Sequence, residues 1–188
     1  MPSPAGSTAK TRTLLRRFRR DRGGSAAVEF AMIATPFFAL LFAIIEASMV
    51  FFAGQVLETG VQDTARQIFT HQLQDSGLSA TDQALKIKDD LCNRVKVLLS
   101  CPIDIDVQFY PAGTPIVIKD PISSGSYDSS ALTFQLPPAG STATVVVRAF
   151  YQWPLFVTGL GFDIANIGRG TGNSKRLLAA TSAFHVEP

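Results

Sequence analysis

The run Gly23-Gly24-Ser25-Ala26-Ala27-Val28-Glu29-Phe30 sets one carboxylate five positions beyond a glycine pair, at the head of a long uncharged stretch. A lone carboxylate inside an apolar helix costs about 2.5–3.5 kcal/mol near a bilayer centre, and less at its boundary, so Glu29 needs a cationic partner. Cutting the chain after Gly24 would create one. The new ammonium at Ser25 would stand about 6 Å from Glu29 along a helix by rise alone, and the same amine on a neighbouring chain would serve equally. Gly24 and Ser25 at a cut, with Glu29 and Phe30 behind it, form the first candidate site. Glu46 lies about 25 Å further along the same helix and is read as a polar contact at the far membrane boundary or between subunits.

Other chemistries find little material. His71 and His185 are the only histidines, and neither stands in an H-E-x-x-H run or beside the cysteines, so no metal site is expected. Asp89-Asp90 and the pair Asp104 and Asp106 read as solvated faces, not as acid–base couples. Gly168-Arg169-Gly170-Thr171-Gly172 is rich in glycine but lacks the lysine and the spacing of a phosphate loop. Gly159-Leu160-Gly161 lacks a third glycine, and there is no G-x-S-x-G. No catalytic residue, no cofactor and no enzymatic activity are therefore expected.

The elements that must position Glu29 follow from charge and hydropathy. The chain has 188 residues, 46% hydrophobic and only 17% charged. Its mean hydropathy of +0.20 is high for a domain whose apolar residues all meet protein. The formal charge of +2 hides a partition: residues 1–24 hold seven cations against Asp21, and the remainder holds ten against fourteen acids. The basic pI thus describes the leader and gives no ground for nucleic-acid binding.

Phe30 to Ala53 is uncharged apart from Glu46, and its 24 residues reach about 36 Å as a helix, enough to cross a hydrocarbon core of about 30 Å. The basic cluster flanks only its N-terminal end, so the positive-inside rule keeps that end cytoplasmic and sends the rest across. A cleaved secretory signal is the rival, but the run is too long for an h-region and lacks an A-x-A-like site.

Beyond Gly54 the helix is expected to continue through Val56, Leu57, Val61, Ala65, Ile68, Phe69 and Leu73 until Ser76-Gly77 stops it. Ser79 with Asp82 three places on marks the start of a second helix, with Ala84, Ile87, Leu91, Val95 and Leu98 on its buried face. Alternation then predicts strands at Ile103–Phe109, Ile116–Ile118, Leu132–Leu136, Ala143–Trp153 and Leu178–Val186, separated by turn-rich segments. Helices first and strands after give an α+β fold: a long N-terminal transmembrane helix continuing into a small periplasmic domain with a second helix and an antiparallel sheet. Cys92 and Cys101 fall on the oxidising side, where a disulfide is expected. Nine residues of unbroken helix would hold their Cα atoms about 13 Å apart, so the second helix must end near Leu98 to Ser100 and turn back.

The string Arg19 to Ala31, followed by Pro36-Phe37-Phe38 and Ile44-Ile45-Glu46, resembles the N-terminus of the TadE-like family, minor pseudopilins of the tight-adherence (Tad, Flp-type) pilus. The tail Phe184-His185-Val186-Glu187-Pro188 resembles the family's Phe-x-x-Glu-Pro ending, and Val145 to Leu155 its late strand. The related TadF and TadG proteins share the N-terminal pattern. The resemblance implies processing by a prepilin peptidase between Gly24 and Ser25, with Glu29 as the glutamate at position five of the mature chain. It further implies residues 1–24 as a cleaved cytoplasmic leader, 25–53 as a single span of a bacterial inner membrane and 54–188 as a periplasmic domain. Implied partners are inner-membrane lipid, the peptidase, other Tad pilins and pseudopilins, and the assembly platform. The alternative is an uncleaved single-span protein whose periplasmic module binds a ligand or envelope partner.

Overall fold

The computed structural model describes residues 24–73, 76–138, 140–158 and 162–187, so the basic cluster and the Gly159-Leu160-Gly161 run lie outside the described residues. Helix α1 spans Ser25–Phe69 with Pro36 inside it. At 45 residues it is about 68 Å long. The chain divides into two compact units, Met1–Phe42 and Ala43–Pro188. In the first, the described helix is apolar on every side and exposes Val28, Phe30, Met32, Ile33, Phe37, Phe38, Leu40 and Phe42. A helix apolar all round has no water-facing side, and this one is long and apolar enough to cross a membrane.

Within the second unit α1 becomes two-faced. Ala53, Leu57, Val61, Thr64, Ala65 and Ile68 recur at three and four residues and are buried, whereas Phe51 and Phe52 are exposed. The helix ends at Phe69, seven residues before the expected Ser76 stop, because His71 takes a left-handed φ of 56° while its N–H returns to the Ile68 carbonyl. Leu73 is nevertheless buried.

Helix α2, Ala80–Val95, starts at the expected cap: the Asp82 N–H donates to Ser79 Oγ at 3.2 Å. Ile87, Leu91 and Val95 face the core. It meets α1 at Gly60, where an added Cβ would lie 2.7 Å from Leu91 Cδ1 and 2.9 Å from Val95 Cγ1, so any larger residue would force those side chains to shift. The helix stops one turn short of the expected Leu98, and the N–H groups of Leu98 and Leu99 both turn onto the Val95 carbonyl. That early reversal brings Cys92 and Cys101 to a Cα separation of 6.0 Å, and they form a disulfide.

Three strands make the main sheet: β1 Asp104–Pro111, β4 Ala143–Pro154 and β5 Lys175–Val186, ordered β1-β4-β5 and antiparallel throughout. One sheet face sets Ile105, Val107, Val145, Val147, Ala149, Leu178 and Ala180 in a single core with α1 and α2. The other face is covered by the chain between β1 and β4, which includes the hairpin of β2 Ile122–Ser123 and β3 Ser126–Tyr127. Phe150, Ile167 and Leu177 form a second small core there, with Tyr127 and Leu132 against it.

Two expected strands are corrected. Ile116–Ile118 lies exposed outside any strand. Pro115 and Pro121 bracket it, and nearby carbonyls are taken by side chains, Val117 O by Tyr110 Oη at 2.7 Å and Lys119 O by Arg148 Nη1 at 2.8 Å. Leu132–Leu136 contributes only a parallel bridge, Phe134 to Val107, at the outer edge of β1.

Candidate functional site

The first candidate cluster lies at the head of α1. Ser25 and Glu29 are one helical turn apart, so their side chains share a face, and Ser25 Oγ donates to Glu29 Oε1 at 2.9 Å. No cation pairs with Glu29 among the described residues. Phe30 points outward and is 71% exposed. An added Cβ at Gly24 would meet nothing within 4 Å, so packing within the chain does not require glycine there. The structure thus brings Ser25 and Glu29 together and leaves Gly24, Glu29 and Phe30 open to other molecules.

Glu46 is quite different. It is 7% exposed, and its carboxylate accepts from two consecutive backbone N–H groups just after β4. Oε1 takes a short bond from Phe156 and one of 3.2 Å from Val157, whose N–H also lies 3.3 Å from Oε2. A carboxylate can use this fork because both donors would otherwise be unpaired amides beyond a strand end. Nothing local in the sequence indicates the pairing, since the partners are separated by 110 positions.

The pair Asp104 and Asp106 does not form the solvated face expected from alternation. Asp106 is 1% exposed and is paired across the β1–β4 ladder with Arg148. Arg148 Nη2 and Nε reach Asp106 Oδ2 at 2.7 and 2.9 Å, while the Thr133 N–H and Gln108 Nε2 donate to Oδ1 at 2.8 and 3.0 Å. Asp104 accepts from Tyr127 Oη at 2.9 Å, and burial together with that carboxylate pushes the Tyr127 phenol well above its ordinary value. Asp106, held by Arg148, Thr133 and Gln108, and Asp104, held by Tyr127, fix the loop cover onto the sheet. The described residues contain no cluster of histidine, cysteine and acids able to hold a metal ion.

The geometry defines a class: an α+β unit carried on a helix of membrane-spanning length, whose exposed acid stands one turn inside the helix start. Residues 24–66, which take in most of α1, match the family model described as TadE-like protein, so this part of the chain is similar to that family. The match opens on Gly24 and includes Ser25, Glu29, Phe30 and Glu46, leaving α2 and the sheet beyond it. No curated protein matches the chain, and no solved structure does.

Proposed function

We propose that this chain is a membrane-anchored minor pseudopilin of a Tad (Flp-type) pilus assembly machine, processed by a prepilin peptidase after Gly24. Residues 1–24 are then the cytoplasmic leader, 25–53 the anchor in the bacterial inner membrane and 54–188 the periplasmic domain. The supporting observation is the head of α1: an acid with no cationic partner among the described residues, one turn from Ser25, on a helix whose apolar residues are exposed all round. The match to the TadE-like model beginning at Gly24 points to the same pilus.

The physical sequence runs from storage to assembly. In lipid the exposed residues of α1 meet acyl chains. On assembly, helices of neighbouring subunits replace those chains, and the Glu29 carboxylate pairs with the terminal ammonium at Ser25 of its own or an adjacent chain. That pairing exists only once the leader is removed, so processing gates assembly. Other Tad pilins, pseudopilins and the assembly platform are the partners of the exposed helix.

Glu29→Gln tests the proposal, because it keeps size and hydrogen bonding but removes the charge. Membrane insertion is expected to persist while pilus biogenesis fails. Normal piliation with the glutamine variant refutes the pairing and favours an uncleaved single-span protein with a binding module.

A further inference from the structure

We propose that the end of the sheet where β4 finishes and β5 begins is a lipid-binding lip, which rests on the outer surface of the bilayer around α1 and takes anionic headgroups. This rests on the reading of α1 as a membrane anchor. Glu46 lies 21 positions after Ser25, about 31 Å at helical rise, close to the thickness of a hydrocarbon core. If Ser25 marks the inner edge beside the basic leader, Glu46 marks the outer edge, and whatever binds Glu46 sits at headgroup level.

What binds it is the backbone of Phe156 and Val157. Their N–H groups are committed to the carboxylate, and the Phe156 ring is left 82% exposed. An apolar ring held outward at that level has the edge of the acyl region to enter, whereas Trp153, three residues before it at the end of β4, packs partly buried against the core. Charge completes the pattern. Lys175 and Arg176 stand directly across the ladder from Pro154 and Trp153. Both donate to neutral oxygens, Gln152 Oε1 at 3.2 Å and Ile164 O at 3.0 Å, and neither pairs with an acid among the described residues. Residues 54–154 by contrast carry ten acids against seven cations. Lys175 and Arg176 therefore place two cations at the end of the sheet beside Phe156, where an anionic surface would lie, while Asp163 in the connection to β5 is held by Arg169.

The test uses the full-length protein in vesicles of phosphatidylcholine alone or mixed three to one with phosphatidylglycerol. Cys92 and Cys101 are bridged, so a thiol introduced by Leu155→Cys, with Phe156 intact, carries the only fluorescent label; a second protein carries it at Phe38→Cys. Spin-labelled lipids quench from near the headgroups or from deep in the acyl chains. We expect the residue-155 label to be quenched by the shallow probe in the anionic vesicles and the residue-38 label by the deep one. Adding Phe156→Ser should abolish the shallow quenching. Lys175→Ser with Arg176→Ser should lower the preference for anionic over neutral vesicles by roughly 25-fold, about five-fold for each cation. A residue-155 label that stays wet while residue 38 is quenched overturns the lip and leaves the anchor standing. A residue-155 label that is dry but unquenched means that protein covers this end, which also overturns it. Failure of the residue-38 label to be quenched removes the anchor and this proposal together.

Discussion

Glu46→Ala removes both acceptors from the Phe156 and Val157 amides and leaves the rest of α1 unchanged. Hydrogen bonds to a charged group contribute about 1.5–3 kcal/mol each, so two give about 3–6 kcal/mol. The lower end applies, because exposed Phe156 lets its amide rehydrate once the segment lifts from the helix. About 3 kcal/mol is about a 100-fold change in the opening equilibrium of the segment. Hydrogen exchange of the protein in lipid nanodiscs reads this directly, since a local opening governs exchange of the amides it exposes. Peptides covering Phe156 and Val157 should exchange about 100-fold faster in Glu46→Ala, while those covering Val147 in the centre of β4 stay as they were. Glu46→Gln keeps one carbonyl acceptor without the charge and should fall between, near 10-fold. Unchanged protection at 156–157 in the alanine variant would refute the reasoning. So would an equal loss at Val147, which would make Glu46 part of the global core and not a local latch.

Three further outcomes follow from other parts of the fold. Gly60→Leu should destabilise the helix pair by about 3 kcal/mol, and Gly60→Ala by about 1 kcal/mol after its gain in helix propensity, measured as a fall in melting temperature; an alanine variant more stable than the parent would show that Leu91 and Val95 yield easily. Arg148→Met leaves Asp106 buried and unpaired and should cost about 3–5 kcal/mol, with Asp106→Leu on the same chain recovering more than half of the loss in a denaturant double-mutant cycle. Tyr127 has its phenol pushed above its ordinary value near 10, so the unfolded chain ionises there before the folded one does. Its contribution is intact below that pH and is lost as pH rises beyond it, so alkaline unfolding titrations should show a steeper loss for the parent than for Tyr127→Phe.

Local signals carried most of the architecture. The uncharged run gave the apolar half of α1, the Ser79–Asp82 spacing gave the start of α2, and alternation gave β1, β4 and β5 to within a few residues. Failures occurred where a distant group took over a local preference. Ile116–Ile118 has strand-forming residues, but it is fenced by prolines, and neighbouring carbonyls are used by Tyr110 and Arg148. Asp106 looks like a water-facing member of an alternating strand, yet the chain between β1 and β4 closes over that face and makes it a buried partner of Arg148. The first helix ends early because His71 takes a left-handed conformation, which has no strong local signature, whereas the reversal of the second was foreshadowed by the pairing of Cys92 with Cys101 and came only a few residues sooner. At the candidate site, the spacing of Ser25 and Glu29 was legible because it lies within one helical turn. The engagement of Glu46 was not, because its two donors are backbone amides in a loop more than a hundred residues away.

The most direct measurement is the N-terminal residue of the protein purified from cells with an active prepilin peptidase. The account predicts Ser25, with a free amine beside Glu29. A chain that still begins at Met1 in such cells contradicts it.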